Sequence, residues 1–341
     1  MRRFTCDCGA PVFFENTFCF NCGSALGFDP ERSDMLTLAD WGQGTYHDLL
    51  GNAFRYCSNG EEFGVCNWLR PADADGAFCR ACQFNRTVPD QSREENQRRW
   101  LALERAKKRL FYTLQQLNLP LISGWRDPQH GLLLDFIEDA RSSDKFPETF
   151  VTTGYLGGVI TINALEADDA ARVATQYELG ESYRTVLGHL RHESGHYYWS
   201  LLNADAHLLW EFRDLFGDER DDYGEALDRH YAKGPPADWQ DRFISAYASA
   251  HPSEDWAECW GHYLHIFDAL DTAWSQKLIG VQPAVMSMAE RVGAWTRISL
   301  MLNELNRSIG RGDAYPFVIN DLVTEKLEFV DAAIQRLRRL H

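Results

Sequence analysis

The segment His192-Glu193-Ser194-Gly195-His196 has the pattern HExxH, with two histidines four residues apart and a glutamate after the first. On a helix of 3.6 residues per turn, residues four apart lie on one face, so both imidazoles can reach one metal ion. Glu193 lies beside them, where its carboxylate can accept a proton from water. The segment therefore predicts a helix that carries a zinc site and its general base.

A zinc site that acts on a substrate needs a third protein ligand and an open position. The extended pattern HExxHxxGxxH is excluded, because Trp199 and Leu202 occupy its glycine and last histidine positions. The best source of another ligand is the segment HPSEDWAECWGHYLHIF, residues 251–267, where Pro252 can open a helix. Aromatic residues cover one face of this helix, and the other face carries Glu254, Glu258, His262 and His265.

HESGH, followed by the sequence EDWAE at 254–258, resembles the gluzincin branch of the zincin metallopeptidases. In that branch the first glutamate of ExxxD or ExxxE, on a later helix, is the third zinc ligand. The resemblance therefore implies that Glu254 binds the metal. Glu258 would be the carboxylate that orients a ligand histidine and fixes its tautomer.

Other carboxylates stay open as the third ligand. The chain has ExxxE where ExxxD is commoner, and Asp255 could ligate if the helix is rotated. The segment FGDERDDYG, residues 216–224, resembles a segment of the aspzincins, but Arg220 stands where their ligand aspartate would be. Asp221 and Asp222 are therefore weaker alternatives.

The expected chemistry is zinc-assisted hydrolysis of a peptide bond, in which Glu193 moves a proton from water to the leaving amine. A hydrogen-bond donor must also stabilise the oxyanion, and Tyr247 and His265 are both candidates. In zincins an edge strand before the HExxH helix binds extended substrate. By resemblance, GVITIN at 158–163 is expected to be that strand.

Eight of the nine cysteines precede residue 83, and such crowding in a reducing compartment indicates metal binding rather than disulfides. A CxC and a CxxC pair, each followed by a glycine, predict one closed zinc site, and the later cysteines predict a second. The two expected quartets are Cys6, Cys8, Cys19 and Cys22, then Cys57, Cys66, Cys79 and Cys82. An interleaved pairing of the same eight residues stays open.

Cysteine ribbons before a domain of this kind are similar to an uncharacterised bacterial family of zinc-binding metallopeptidases with an N-terminal zinc ribbon. We therefore expect an α+β protein, with a zinc-ribbon region at 1–92 and a mostly helical, zincin-like domain with a small β-sheet at 93–341. Local patterns predict a helix at 93–119 and strands near 131–138, 150–155 and 158–163, the last two forming a hairpin. One catalytic and two structural zinc ions are expected.

Composition limits the partners and the location. Fifty acidic and 34 basic side chains among 341 residues give a net charge of −16, which disfavours nucleic acid. The N-terminus lacks the apolar run of a secretory signal, and no apolar stretch is long enough for a membrane span, so a cytoplasmic protein is expected. We expect a peptide or protein substrate and a possible protein partner at the ribbons. The alternative is a zinc-binding adaptor or inactive peptidase-like protein.

Overall fold

The computed structural model describes residues 2–141, 150–179 and 183–339. Apart from Met1, the chain divides into two compact units. The cysteine unit comprises Arg2–Tyr112 and Leu121–Arg172, and the helical unit comprises Thr113–Pro120 and Val173–His341. Helices and sheets are both present, which confirms the α+β class. The predicted boundary between residues 92 and 93 stays a prediction.

The first part of the cysteine unit contains two antiparallel sheets. The smaller one pairs β1 (Phe4–Thr5) with β2 (Pro11–Val12). The larger one has its strands in chain order, each paired with the next. Its strands are β3 (Ala25–Asp29), β4 (Asp34–Asp40), β5 (Tyr46–His47), β6 (Ala53–Tyr56) and β7 (Leu69–Pro71), with helix α1 (Ser58–Phe63) before the last of them.

The rest of this unit is a four-stranded sheet in the order β10-β11-β9-β8. Its strands are β8 (Asn85–Thr87), β9 (Leu133–Ile137), β10 (Gly154–Leu156) and β11 (Val159–Asn163). β8 and β9 are parallel, so the chain needs a long crossover connection from the end of β8 to the start of β9. The long helix α2 (Glu94–Gln116) lies in that connection. The predicted hairpin of β10 and β11 is confirmed.

The expectation that GVITIN forms an edge strand is wrong. β11 is paired on both sides, antiparallel to β10 and parallel to β9, so its backbone groups are already used within the sheet. The outer strands of this sheet are β10 and β8. The error arose because the local pattern predicts a strand but carries no information about the more distant strand that pairs with it.

The helical unit is built around α4 (Val186–Leu202) and α8 (Pro252–Ser275). Its other helices are α3 (Asp169–Leu179), which begins in the cysteine unit, α5 (Ala206–Phe216), α6 (Tyr223–Lys233), α7 (Trp239–Arg242), α9 (Met288–Ser308) and α10 (Asp321–Leu337). At the start of most of these helices a side chain caps the free backbone amides. In α4, the Thr185 hydroxyl accepts a hydrogen bond from the Gly188 amide at 2.9 Å. Among the described residues, no helix combines the length and hydropathy needed to cross a bilayer.

Candidate metal centres

The close packing of α4 against α8 brings the predicted ligands together. A side chain at Gly195 would place its Cβ 3.1 Å from the Cα of Ala257 and from the Cβ of Trp260, which is a tight contact, so this close approach favours glycine. The Trp256 indole donates to the Gly195 carbonyl at 2.9 Å, and the Trp260 indole donates to the Ser194 hydroxyl at 3.0 Å. These buried bonds fix the register of the two helices.

The two histidines of α4 face Glu254, in the first turn of α8. His192 Nε2 lies 3.0 Å from Glu254 Oε2, and His196 Nε2 lies 3.5 Å from Glu254 Oε1. A tetrahedral zinc site with bonds of about 2.0–2.2 Å separates its nitrogen and oxygen ligands by roughly 3.3–3.5 Å. The ligand atoms of these three side chains lie within 4.8 Å of one another, so the donor set fits a zinc ion with an open position.

Electrostatics at this cluster also suit a metal ligand set. Burial raises the pKa of Glu254, but the hydrogen bond and charge of His192 outweigh it and lower that pKa to about 2. Burial lowers the pKa of His196 to about 4, so its imidazole is neutral. Burial opposes the charged form of His192, yet Glu254 and Glu258 raise its pKa well above the usual value. His192 must therefore lose a proton when Nε2 binds a metal.

Glu258, one turn after Glu254, holds the other nitrogen of His192. Its Oε1 lies 2.7 Å from His192 Nδ1, and its Oε2 accepts a hydrogen bond from the Ser245 hydroxyl at 2.6 Å. A carboxylate bonded to the far nitrogen of a ligand histidine fixes the tautomer and the ring orientation. Ser245 belongs to no motif, and sequence reasoning did not identify it.

Glu193 and Tyr247 lie beside the histidines. Glu193 is buried on α4, and its negative charge helps to raise the pKa values of both Tyr223 and Tyr247. The Tyr247 ring lies 6.0 Å from the His192 ring. Burial, followed by the charge of Glu254, raises the pKa of Tyr247, so its hydroxyl stays protonated and can donate.

His265, the other expected donor, lies elsewhere on α8. It is eleven residues after Glu254, which is about 16 Å along a helix axis. Its ring packs 5.6 Å from Trp295 and 5.4 Å from Tyr315, in an aromatic cluster. The structure therefore does not bring His265 to the two histidines of α4.

The alternative carboxylates have other contacts. Asp255 Oδ2 accepts a hydrogen bond from Lys326 Nζ at 2.5 Å, and burial raises the pKa of Asp255 to about 6 despite that ammonium group. Asp222 caps α6 by accepting from the Glu225 amide at 2.8 Å. Asp221 is exposed, and its backbone carbonyl lies 3.1 Å from a ring nitrogen of His251. Only Glu254 among these candidates joins the two histidines.

Tyr223 is the other side chain at this cluster that sequence reasoning missed. Its hydroxyl donates to Glu254 Oε1 at 2.9 Å. The segment FGDERDDYG that ends at Gly224 was the available signal, but it drew attention to its acidic residues and not to its tyrosine.

The eight N-terminal cysteines form two separate clusters. The first four in the chain make one cluster and the next four make the other, so the two quartets are not interleaved. The Sγ atoms of Cys6 and Cys22 are 3.7 Å apart, as are those of Cys8 and Cys19 and those of Cys66 and Cys79. Four sulfurs around zinc at about 2.3 Å are separated by roughly 3.8 Å, so this spacing fits a thiolate zinc site. Gly9 and Gly23 have φ angles of 85° and 77°, which suit the two knuckles of the first cluster.

The two clusters differ in exposure. In the first, Cys8 and Cys22 are exposed, whereas all four cysteines of the second are buried. A hydrogen bond between Cys22 and Ser24 is the largest cause that lowers the Cys22 pKa, to about 6. The second cluster lies against buried charges of α2, where Cys82 Sγ is 3.6 Å from Glu104 Oε2, and Glu104 pairs with Lys107 at 2.8 Å.

Within the part of the chain that the structure describes, an α+β fold carries three clusters of potential metal ligands, as expected of a zinc-binding protein. The chain belongs to the family described as "Putative zinc-binding metallo-peptidase", whose model matches residues 96–333. A zinc-ribbon domain model matches residues 3–93. The expected resemblance to a family of zinc-binding metallopeptidases with an N-terminal zinc ribbon is thereby confirmed.

The chain is also similar to uncharacterised proteins of Mycobacterium tuberculosis and Mycobacterium bovis. Each is 40% identical to it over 350 aligned positions, which cover 99% of this chain and 96% of the relative. No solved structure matches the chain significantly.

Proposed function

We propose that the chain is a zinc-dependent peptidase that hydrolyses peptide bonds at the cluster of His192, His196 and Glu254. One observation carries the proposal. His192, His196 and Glu254 bring three ligand atoms within 4.8 Å of one another, and Glu193 directly follows His192 on the same helix. Three protein ligands would leave one position of a tetrahedral zinc site open. The donor set and the adjacent base are the components of metal-assisted hydrolysis.

Each side chain has a distinct part in this proposal. A bound zinc ion would polarise the scissile carbonyl and lower the pKa of water. Glu193 accepts a proton from the attacking water and delivers it to the leaving amine. Tyr247 donates a hydrogen bond to the carbonyl oxygen as that oxygen gains negative charge. Of the two donors expected from the sequence, Tyr247 is preferred over His265 because its ring adjoins His192.

A peptide-library digest tests the proposal directly. The chain should cleave peptides, cleavage should stop when a chelator is added, and excess zinc should restore it. Metal analysis should first verify that the chelator has removed zinc from the histidine site. Peptide cleavage that persists after this removal would contradict the assignment as a zinc peptidase. The substrate and the cleavage preference would follow from the same digest.

A zinc-binding adaptor without turnover is the second candidate. The observation that favours it is a group of exposed aromatic rings in the first ribbon, where Phe13 is 69% and Phe20 79% exposed. Exposed rings of this size are common at protein interaction surfaces. An adaptor would bind zinc at all three clusters but cleave no peptide in the library digest.

Metal analysis of protein purified without chelator should give three zinc ions per chain. The expected count is one at the histidine–glutamate cluster and two at the cysteine clusters. Inductively coupled plasma mass spectrometry with a parallel protein assay measures this ratio. A firm value of one would remove the assignment of structural zinc to the cysteines.

Removal of zinc by a chelator should empty the first cysteine cluster before the second. Cys8 and Cys22 are exposed to an attacking chelator, whereas all four cysteines of the second cluster are buried. A chromogenic chelator should therefore report at least one fast and one slow phase. Cys22→Ser should eliminate one fast phase, and the slow phase should persist. Equal release rates from the two cysteine clusters would contradict this order.

A further inference from the structure

The two carboxylate oxygens of Glu254 have different partners. Oε1 accepts a hydrogen bond from the Tyr223 hydroxyl at 2.9 Å and lies 3.5 Å from His196 Nε2. Oε2 lies 3.0 Å from His192 Nε2. Glu254 itself is only 1% exposed, so its carboxylate depends on protein groups rather than bulk water for hydrogen bonds.

The position of Tyr223 is defined by the start of two helices. Tyr223 is the first residue of α6, directly after its cap Asp222. Its ring meets the His251 ring edge-on, with the centroids 5.3 Å apart. His251 is 4% exposed and caps α8, accepting from the Ser253 amide at 3.1 Å. The hydroxyl is therefore held by the same turn of α8 that presents Glu254.

A carboxylate can bind a metal through one oxygen or through both. If both oxygens bind, the second occupies the position that a catalytic zinc site keeps open for water or substrate. A hydroxyl that donates to one oxygen competes with the metal for that oxygen. It also restrains rotation of the carboxylate about its last torsion.

We propose that Tyr223 is a positioning residue that occupies Oε1 of Glu254 and so limits this ligand to one metal-binding oxygen, Oε2. This inference rests on the proposed role of Glu254 as the third ligand. It assigns Tyr223 to the metal site, whereas the sequence patterns pointed to the acidic residues beside it. Tyr223 acts through Glu254 and holds open the position that the substrate needs.

Tyr223→Phe tests the inference, because it removes the hydroxyl and keeps the ring. Tyr231→Phe is the matched control, since Tyr231 lies two turns later on α6 and is 60% exposed. Competition with a chelator should show that zinc affinity at the histidine site differs from wild type by about 10- to 100-fold in Tyr223→Phe, the effect typical of removing a partner of a ligand side chain, and is unchanged in Tyr231→Phe. Zinc alone is the probe, so this measurement does not depend on hydrolysis.

A spectroscopic readout separates positioning from general loosening of the fold. Cadmium-113 NMR of the fully substituted protein distinguishes thiolate-bound metal from metal bound by nitrogen and oxygen. Binding of a second carboxylate oxygen should move the resonance of the histidine site to lower frequency in Tyr223→Phe. The two thiolate resonances should stay in place and confirm that the chain is folded.

Wild-type zinc affinity together with an unmoved histidine-site resonance in Tyr223→Phe would overturn the inference, whatever happens to activity. A histidine-site resonance that survives unchanged in Glu254→Ala would overturn it as well, since Glu254 would not be a ligand. If the wild-type chain cleaves no peptide but the Tyr223→Phe shift is observed, the proposed peptidase function fails and this inference stands.

Discussion

Glu193→Gln should reduce peptide hydrolysis by about 100- to 10,000-fold while the chain keeps all three zinc ions. The amide has the shape of the carboxylate but cannot accept the proton from water. His192, His196 and Glu254 contact one another without Glu193, so the ligand set should be unaffected. The kcat for a peptide found in the library digest, measured with zinc content on the same sample, tests this expectation.

Glu211→Gln is the matched control, because Glu211 is a partly exposed carboxylate on α5. It should hydrolyse the peptide at the wild-type rate. Full turnover by Glu193→Gln would remove Glu193 as the base. Loss of zinc from Glu193→Gln would instead mean that this carboxylate supports the metal, and the activity loss would then have another cause.

Glu254→Ala should lower the zinc content from three ions to two and abolish hydrolysis. Two histidines alone are too few ligands to retain zinc against a chelator. The fold should survive, since the buried indoles of Trp256 and Trp260 still join α8 to α4. Metal analysis after brief chelator treatment, with circular dichroism to verify folding, separates loss of metal from unfolding.

Two aspartate variants test the alternative ligands. Asp221→Ala removes an exposed carboxylate, and Asp255→Asn keeps the shape of the side chain that contacts Lys326. Both should retain three zinc ions. If Glu254→Ala keeps full occupancy and one of these variants loses the third ion, the gluzincin interpretation is wrong and that aspartate is the ligand.

Sequence patterns predicted best where the ligands lie close together in the chain. HESGH and the CxxC pairs are short segments whose local geometry already brings ligand atoms together. Glu254 is 62 residues from His192, and only the resemblance of EDWAE to a known pattern linked them. Ser245 belongs to no recognised pattern, and the pattern that contains Tyr223 pointed to its acidic residues, because the contacts of both side chains depend on how α6 and the turn before α8 pack.

Sheet order and distance along a helix were two further features that the sequence did not predict correctly. The alternation in GVITIN predicted β11, but its parallel partner β9 lies more than twenty residues earlier, and the unexpected β10-β11-β9 order removed it from the edge. Periodicity placed Glu254 and His265 on one face of α8. Sharing a face does not make two residues neighbours, and three helical turns separate these two side chains.

The order of the metal clusters along the chain has a consequence for synthesis. Both cysteine quartets are complete by residue 82, whereas the histidine–glutamate cluster requires residue 254. At about 5–20 residues per second, residues 83 to 254 take roughly 10 to 30 s to translate. A nascent chain could therefore bind metal at its two cysteine clusters on the ribosome before the histidine–glutamate cluster exists. If zinc is the metal at all three clusters, a zinc shortage during translation would affect the cysteine clusters first, and the histidine–glutamate cluster could be filled only after α4 and α8 have packed together.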